Sequence, residues 1–174
     1  MALPQTIDFW MKQFNINYLT TTPTAKVVQK QMVGDAIKLI LKPSRSFGEF
    51  VAGQHIRIKM PVDFINLERC YSIANLPNTQ NLIELYVKVQ GQVSHAIKQS
   101  MRVGQVVEIS KAFGENSKND FSTFIAGGIG ITTIWPLFKA QMAKASQSAG
   151  ESLNLFYLTR MNADQSDAIA ADNQ

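Results

Sequence analysis

One change of rhythm constrains this sequence more than any other feature. Up to about residue 110 the apolar residues recur with period two; past residue 120 they form a continuous run and then recur at helical spacing. "QHIRIKM" (54–60) sends Ile56, Ile58 and Met60 to one side and His55, Arg57 and Lys59 to the other, the pattern of a half-buried strand. "IELYVKV" (83–89) repeats it, with Leu85, Val87 and Val89 inward and Glu84, Tyr86 and Lys88 outward. "AKVVQKQMV" and "AIKLILKP" flank Gly34-Asp35, a hairpin turn. "RCYSIA" (69–74), following a loop, and "VVEIS" (106–110) bring the set to six short strands. The expectation is a six-stranded antiparallel barrel over residues 25–117, because closure leaves no exposed sheet edge. Before the last strand, "VSHAIKQSM" reads as a short helix with Ser94 at its N-cap and Val93, Ile97 and Met101 inward.

"GENSKND" (114–120) is polar and marks a boundary. "FSTFIAGG" then has the unbroken apolar character of a buried parallel strand. "TTIWPLFKAQMAKASQ" is helical, with Ile134, Leu137, Phe138 and Met142 at helical spacing, and "SLNLFYL" is a second strand. Residues 118–174 thus hold one parallel β-α-β unit and a polar tail. Ahead of the barrel, "TIDFWMKQFNINYL" places Ile7, Trp10, Met11 and Phe14 on one face of a helical lead segment (residues 1–24) that lies on the main body. The fold class is β + α/β. Two parallel strands with one main helix leave apolar sheet surface uncovered, so the second domain reads as incomplete. A shortened chain is the leading explanation; a naturally reduced protein and a second chain covering the sheet are the alternatives.

Composition narrows the function classes. A formal charge of +4 over 174 residues favours anionic partners such as phosphates and falls far short of a nucleic-acid-binding surface. A barrel that binds single-stranded nucleic acid is the remote alternative. Cys70 is the sole cysteine, which excludes an intrachain disulfide and a thiolate metal cluster; its simplest reading is a small buried hydrophobe. His55 and His95 are well separated, so no metal site is expected. No run reaches the length of a membrane span, and the N-terminus lacks a secretory pattern. The expectation is a soluble, cytoplasmic protein.

Three motifs carry chemistry. In "RCYS" (69–72) an arginine can pair with phosphate oxygens, a tyrosine offers a flat face, and a serine can hydrogen-bond a ring nitrogen. Together they match a flavin with its phosphate. Strict alternation sends Ser72 to the face opposite Arg69 and Tyr71, so this reading needs the strand to bulge or end near Ser72. In "AGGIGIT" (126–132), Gly127, Gly128 and Gly130 join strand to helix, and the helix start suits a phosphate, with Thr132 capping or touching the ligand. The other reading of this loop is close packing of helix on strand. In "VKVQGQVS" (87–94), Gly91 and the helix start near Ser94 make a second candidate phosphate cradle, or a plain strand–turn–helix.

In this order and spacing, with "FVAGQHIRIKM" (50–60) as a barrel strand, "RCYS", "GQVS" and "AGGIGIT" resemble the ferredoxin–NADP reductase superfamily. The resemblance covers roughly residues 25–160. It implies a flavin-binding barrel followed by a nicotinamide-nucleotide domain, and FAD ahead of FMN. Arg69 would bind the flavin phosphates, Tyr71 lie against the ring, and Ser72 hydrogen-bond near N5, making Tyr71 and Ser72 the catalytic pair. Gly91, Gln92, Val93 and Ser94 would hold the pyrophosphate through backbone groups and the Ser94 hydroxyl. Gly127, Gly128, Gly130 and Thr132 would face the nicotinamide nucleotide. Arg160 sits where the family selects the adenosine ribose; it meets a 2′-phosphate or is a solvated surface arginine. Thr133 stands where the family usually has proline.

The implied activity is hydride transfer from NAD(P)H to FAD, with electrons leaving to a separate acceptor protein or small molecule. The rival is a flavin-binding module without turnover, motivated by the short second domain.

Overall fold

The computed structural model of the chain describes residues 22–114, 120–146 and 152–159. The expected lead helix with Ile7, Trp10, Met11 and Phe14 lies outside the described residues, as do positions 115–119 of the boundary segment, Arg160 and the tail.

β1 (Thr24–Val33) and β2 (Ala36–Pro43) form the expected hairpin. Gly34 takes φ +58° in its two-residue loop, the left-handed backbone that so short a turn needs. β2 also pairs with β5 (Ile83–Lys88), and β1 with β6 (Val106–Glu108), giving an antiparallel sheet ordered β5-β2-β1-β6. A bulge between Val27 and Gln29 interrupts β1, a feature that increases local twist. β3 (His55–Val62) and β4 (Ile65–Ser72) form a second antiparallel sheet.

The two sheets share one core. Ile37, Leu39 and Leu41 from β2 meet Ile56 and Ile58 from β3 and Leu85 and Val87 from β5, all fully buried. α1 (Gln92–Ser100) adds Val93 and Ile97, with Met101 just beyond it. Bridges from Ile58 to Ile109 and from His55 to Phe113 link β3 to the chain beyond β6. The Ala74 N–H donates to the Glu84 carbonyl at 2.8 Å, linking the chain after β4 to β5.

Two boundaries differ from expectation. β4 starts at Ile65 rather than at Arg69 after a loop, because Asp63 and Phe64 themselves adopt φ +46° and +65° and close a two-residue turn. A phenylalanine in that region is uncommon, so the turn carries no glycine or asparagine signal in the sequence. α1 starts at Gln92 with Gly91 as its N-cap (φ +101°), not with Ser94 there.

The second unit is β7 (Thr123–Gly127), a single 3-10 turn (Gly128–Gly130), α2 (Ile131–Ala145) and β8 (Asn154–Leu158). β7 and β8 pair in parallel. Phe124 and Ala126 are buried, and the Phe124 ring meets Phe138 of α2 edge-on at 5.5 Å. The continuous apolar run is nevertheless buried on one face only. Ile125 and its cross-strand partner Phe156 are 65% and 56% exposed, and Leu158 is exposed beside them, because α2 covers a single face. Met142, at helical spacing with Ile134, Leu137 and Phe138, is also exposed, while Thr132, Pro136 and Gln141 are the buried residues of α2. Among the described residues no helix is long and apolar enough to cross a membrane.

Candidate functional site

The site lies where the first sheet pair parts. β4 is laddered to β3 alone, so its other edge is open. The register pairs Ile58 with Arg69 and Ile56 with Tyr71, and directly opposed residues share a face. Arg69 and Tyr71 therefore stand on the same side as core residues, yet Arg69 is exposed and Tyr71 half-buried, because that face opens onto a cavity.

This cavity, of about 450 Å³, is lined by Arg69, Cys70, Tyr71 and Ser72 from β4, Tyr86 and Lys88 from β5, and residues 90–94 at the start of α1. Ile129, Gly130, Thr132 and Thr133 close it from the second unit. The requirement on Ser72 is met: it is the last residue of β4, and the strand's end brings it beside Arg69 and Tyr71. Cys70, expected buried, is exposed. It opposes Arg57 on the outer face of the β3–β4 sheet, the reverse of the side that alternation from a buried cysteine would give.

The walls are electropositive. They carry Arg69 and Lys88 and, among the described residues, no carboxylate. Arg69 donates one bond to the Glu68 carbonyl (2.8 Å), and a guanidinium has further donors to offer. Lys88 pairs at 3.5 Å with Asp35, an exposed and therefore weak ion pair. At α1 the first-turn amides of Gln92, Val93 and Ser94 have no intrahelical acceptor by geometry and face an anion with the positive end of the helix dipole. Ser94 is buried; its hydroxyl accepts from the Gln90 N–H (2.8 Å) and donates to the Gly91 carbonyl (2.9 Å). Its proton is engaged in shaping the loop, leaving the amides as the donors that point outward. Burial pushes the Tyr71 phenol up to about 12, against the opposing pull of Arg69, so the ring stays neutral and flat.

A wider cleft of about 1250 Å³ adjoins the cavity. It shares Tyr86, Lys88, Gln90, Ile129 and Thr132 with it and extends over Gly128, Trp135, Lys139, Tyr157 and Thr159. It sits at the carboxyl ends of β7 and β8, where open parallel sheets bind ligands. Gly128 has φ +50° and borders this cleft, Gly130 borders the smaller cavity, and Gly127 ends β7 and borders neither. A Cβ added at Gly91, Gly127, Gly128 or Gly130 would meet nothing within 4 Å. Close packing of helix on strand is therefore not what these glycines serve. Thr132 does not cap α2, whose N-cap is Gly130; its hydroxyl donates back to the Ile129 carbonyl at 2.9 Å. Thr133 Oγ1 donates to Ser72 Oγ at 2.7 Å, a bond between the two units.

Sequence reasoning left out Tyr86 and Lys88. Their outward alternation on β5 was the available signal, but nothing local says that the outer face of β5 looks into a cleft rather than into solvent.

Residues 24–117, more than half of the chain, match the oxidoreductase FAD-binding domain family. The chain belongs to that family. The FAD-binding domain here is of the ferredoxin–NADP reductase superfamily, as the motif order implied. Over 90 residues it is 32% identical to the reductase component DmpP of phenol 2-monooxygenase from a Pseudomonas species, covering 48% of this chain and 25% of that protein. Among solved structures it resembles phthalate dioxygenase reductase, described as a modular structure for electron transfer from pyridine nucleotides to [2Fe-2S]. That match has a TM-score of 0.58 and 26% identity, and covers 79% of this chain and 44% of that one. The fold also matches the flavohem-like FAD/NAD binding domain of nitric oxide dioxygenase from Vibrio cholerae (TM-score 0.64, 19% identity, 87% of this chain and 71% of that chain). The chain spans about a quarter of the length of curated relatives such as the phenol 2-monooxygenase component.

The residues present fit FAD. A doubly anionic pyrophosphate requires converging donors without carboxylates, and Arg69, Lys88 and the first-turn amides of α1 supply them. The neutral Tyr71 ring and the Ser72 hydroxyl border the same cavity.

Proposed function

We propose that the chain holds FAD in the smaller cavity, receives reducing equivalents from a nicotinamide nucleotide in the adjoining cleft, and delivers them to a separate acceptor. The observation that carries this reading is the convergence of Arg69, Tyr71, Ser72 and residues 91–94 on one carboxylate-free cavity that opens into the cleft at Gly128. Arg69 and the amides of Gln92, Val93 and Ser94 bind the pyrophosphate; the Tyr71 ring supports the flavin; Ser72 hydrogen-bonds its reactive edge. Gly128, Gly130 and Thr132 border the path of the nicotinamide. Bound FAD would supply the hydride acceptor and the electron store; the protein aligns and hydrogen-bonds it.

In this reading residues 25–117 form the flavin domain, a six-stranded barrel joined by the Ile58–Ile109 bridge on one side and, past the open edge of β4, by the Ala74–Glu84 hydrogen bond on the other. Residues 118–174 form the nucleotide unit. Lys139 in the cleft suits the phosphates of NADH and NADPH alike.

The test is anaerobic addition of NADH and of NADPH to the FAD-loaded chain. Bleaching of the flavin band supports the reading. Stable yellow colour with both nucleotides favours a second one, a flavin-binding module without turnover. The observation that motivates that alternative is the bare apolar face of Ile125, Phe156 and Leu158, which leaves the nucleotide unit covered on one side only.

A further inference from the structure

We propose that Thr133 is a positioning residue: its hydroxyl fixes the Ser72 hydroxyl so that the Ser72 proton is presented to the reactive edge of the flavin. The proposal rests on the flavin reading above. Thr133 occupies the third position of α2, and Ser72 ends β4, 61 residues earlier. Their oxygens are 2.7 Å apart, the ordinary length of an O–H···O bond, with Thr133 as donor.

A serine hydroxyl has one proton and two lone pairs. Thr133 fills one lone pair, and among the described residues no acceptor takes the Ser72 proton. Both residues line the smaller cavity, so that proton is left for a ligand there. A donor feeding into Ser72 also polarises its O–H bond and makes it the better donor. An unprotonated ring nitrogen needs that polarity.

The bond is not needed to seat α2 on the barrel. Leu137, one turn further along α2, packs against Gly53 so closely that a Cβ there would lie 2.8 Å from Leu137 Cδ2. Gly53 adjoins Ser72 in space, since the Ile73 N–H donates to the Gln54 carbonyl at 2.9 Å. The apolar contact docks the helix; the hydroxyl pair is left free to set direction.

The test uses the full chain as wild type, Thr133→Val, Thr133→Ser, Ser72→Ala and Ser72→Ala/Thr133→Val, with Thr133→Ala as a second hydroxyl deletion if Thr133→Val does not fold. FAD affinity, the visible spectrum of bound FAD and the anaerobic reduction rate by NADH or NADPH are read. Thr133→Val is expected to bind FAD within about two-fold of wild type, to shift the flavin band, and to be reduced about three- to ten-fold more slowly, the value of one neutral hydrogen bond. Thr133→Ser should restore spectrum and rate, and Thr133→Val should add nothing in the Ser72→Ala background. A wild-type spectrum and rate in Thr133→Val overturns the proposal, as does an effect that persists without Ser72. Equal loss of FAD by Thr133→Val and Thr133→Ser also overturns it, in favour of a purely structural tie. Failure of the wild type itself to bind FAD removes the flavin reading and this proposal together, and is seen before any substitution is made.

Discussion

The sheets of residues 24–108 alternate apolar with polar residues and the β7–α2–β8 unit carries a continuous apolar run, yet it is the first that buries its apolar face completely. In the first, strands wrap one core, and Ile37, Leu39, Leu41, Ile56, Ile58, Leu85 and Val87 are all fully buried. In the second, one helix covers two strands, and Ile125, Phe156 and Leu158 stay in contact with solvent. The contrast separates two jobs. The first region buries its own core and leaves one edge of β4 unpaired, and the cavity lies beside that edge. The second contributes loops and a helix start to that cavity and packs on its neighbour through Leu137 on Gly53, with the Thr133 hydroxyl bonded to Ser72 beside that contact.

The contrast is most exposed to failure in the core of the first region. Leu85→Ala should destabilise the chain by about 2–5 kcal/mol, the cost of a cavity in a packed core, measured by denaturant unfolding. A loss below about 0.5 kcal/mol, the range of surface substitutions, would mean that this core is not the chain's source of stability. Next in size is the cavity wall. Arg69→Ala should weaken FAD binding by about 1.5–3 kcal/mol, one charge-assisted bond or two, with the melting temperature nearly unchanged. Unaltered affinity would take the phosphate role from Arg69.

A third effect is confined to high pH. The Tyr71 phenol is raised from 10.0 to about 12 by burial, so the folded chain holds its proton more tightly than the unfolded chain. Its contribution to stability is complete below the unfolded value near 10 and is lost as pH rises through the folded value near 12. Stability should therefore decline across that window in wild type and decline less in Tyr71→Phe, as followed by unfolding at stepped pH. Identical profiles would place the ring in solvent. Smallest is Ile125→Thr on the bare face, expected within about 0.5 kcal/mol of wild type. A cost near that of Leu85→Ala would show that the face is covered in solution and that the two regions are not as unlike as they stand here.

Much of the fold was legible because period-two alternation is a local property. It located six strands, the Gly34-Asp35 turn and the inward set Ile56, Ile58 and Met60. The grouping of Arg69, Tyr71, Ser72 and residues 91–94 was legible for a different reason: charge, flatness and helix-start amides in one order have few common uses. What escaped depends on neighbours distant in sequence. The exposure of Cys70 follows from its pairing with Arg57, and the place of Tyr86 and Lys88 in the site follows from a cleft formed with α2. Phe64 hides the β3–β4 turn because its left-handed backbone is one that phenylalanine seldom adopts. The bare side of Ile125 could not be read from an apolar run, since continuous hydrophobicity does not state how many faces find cover.

The central claim is that the opening beside β4 is a flavin site. Equilibrium titration of the purified chain with FAD, followed by quenching of flavin fluorescence, tests it most directly. The account predicts saturation at one FAD per chain, with Arg69→Ala requiring a markedly higher concentration. A flat titration, or saturation that Arg69→Ala leaves unmoved, would contradict it.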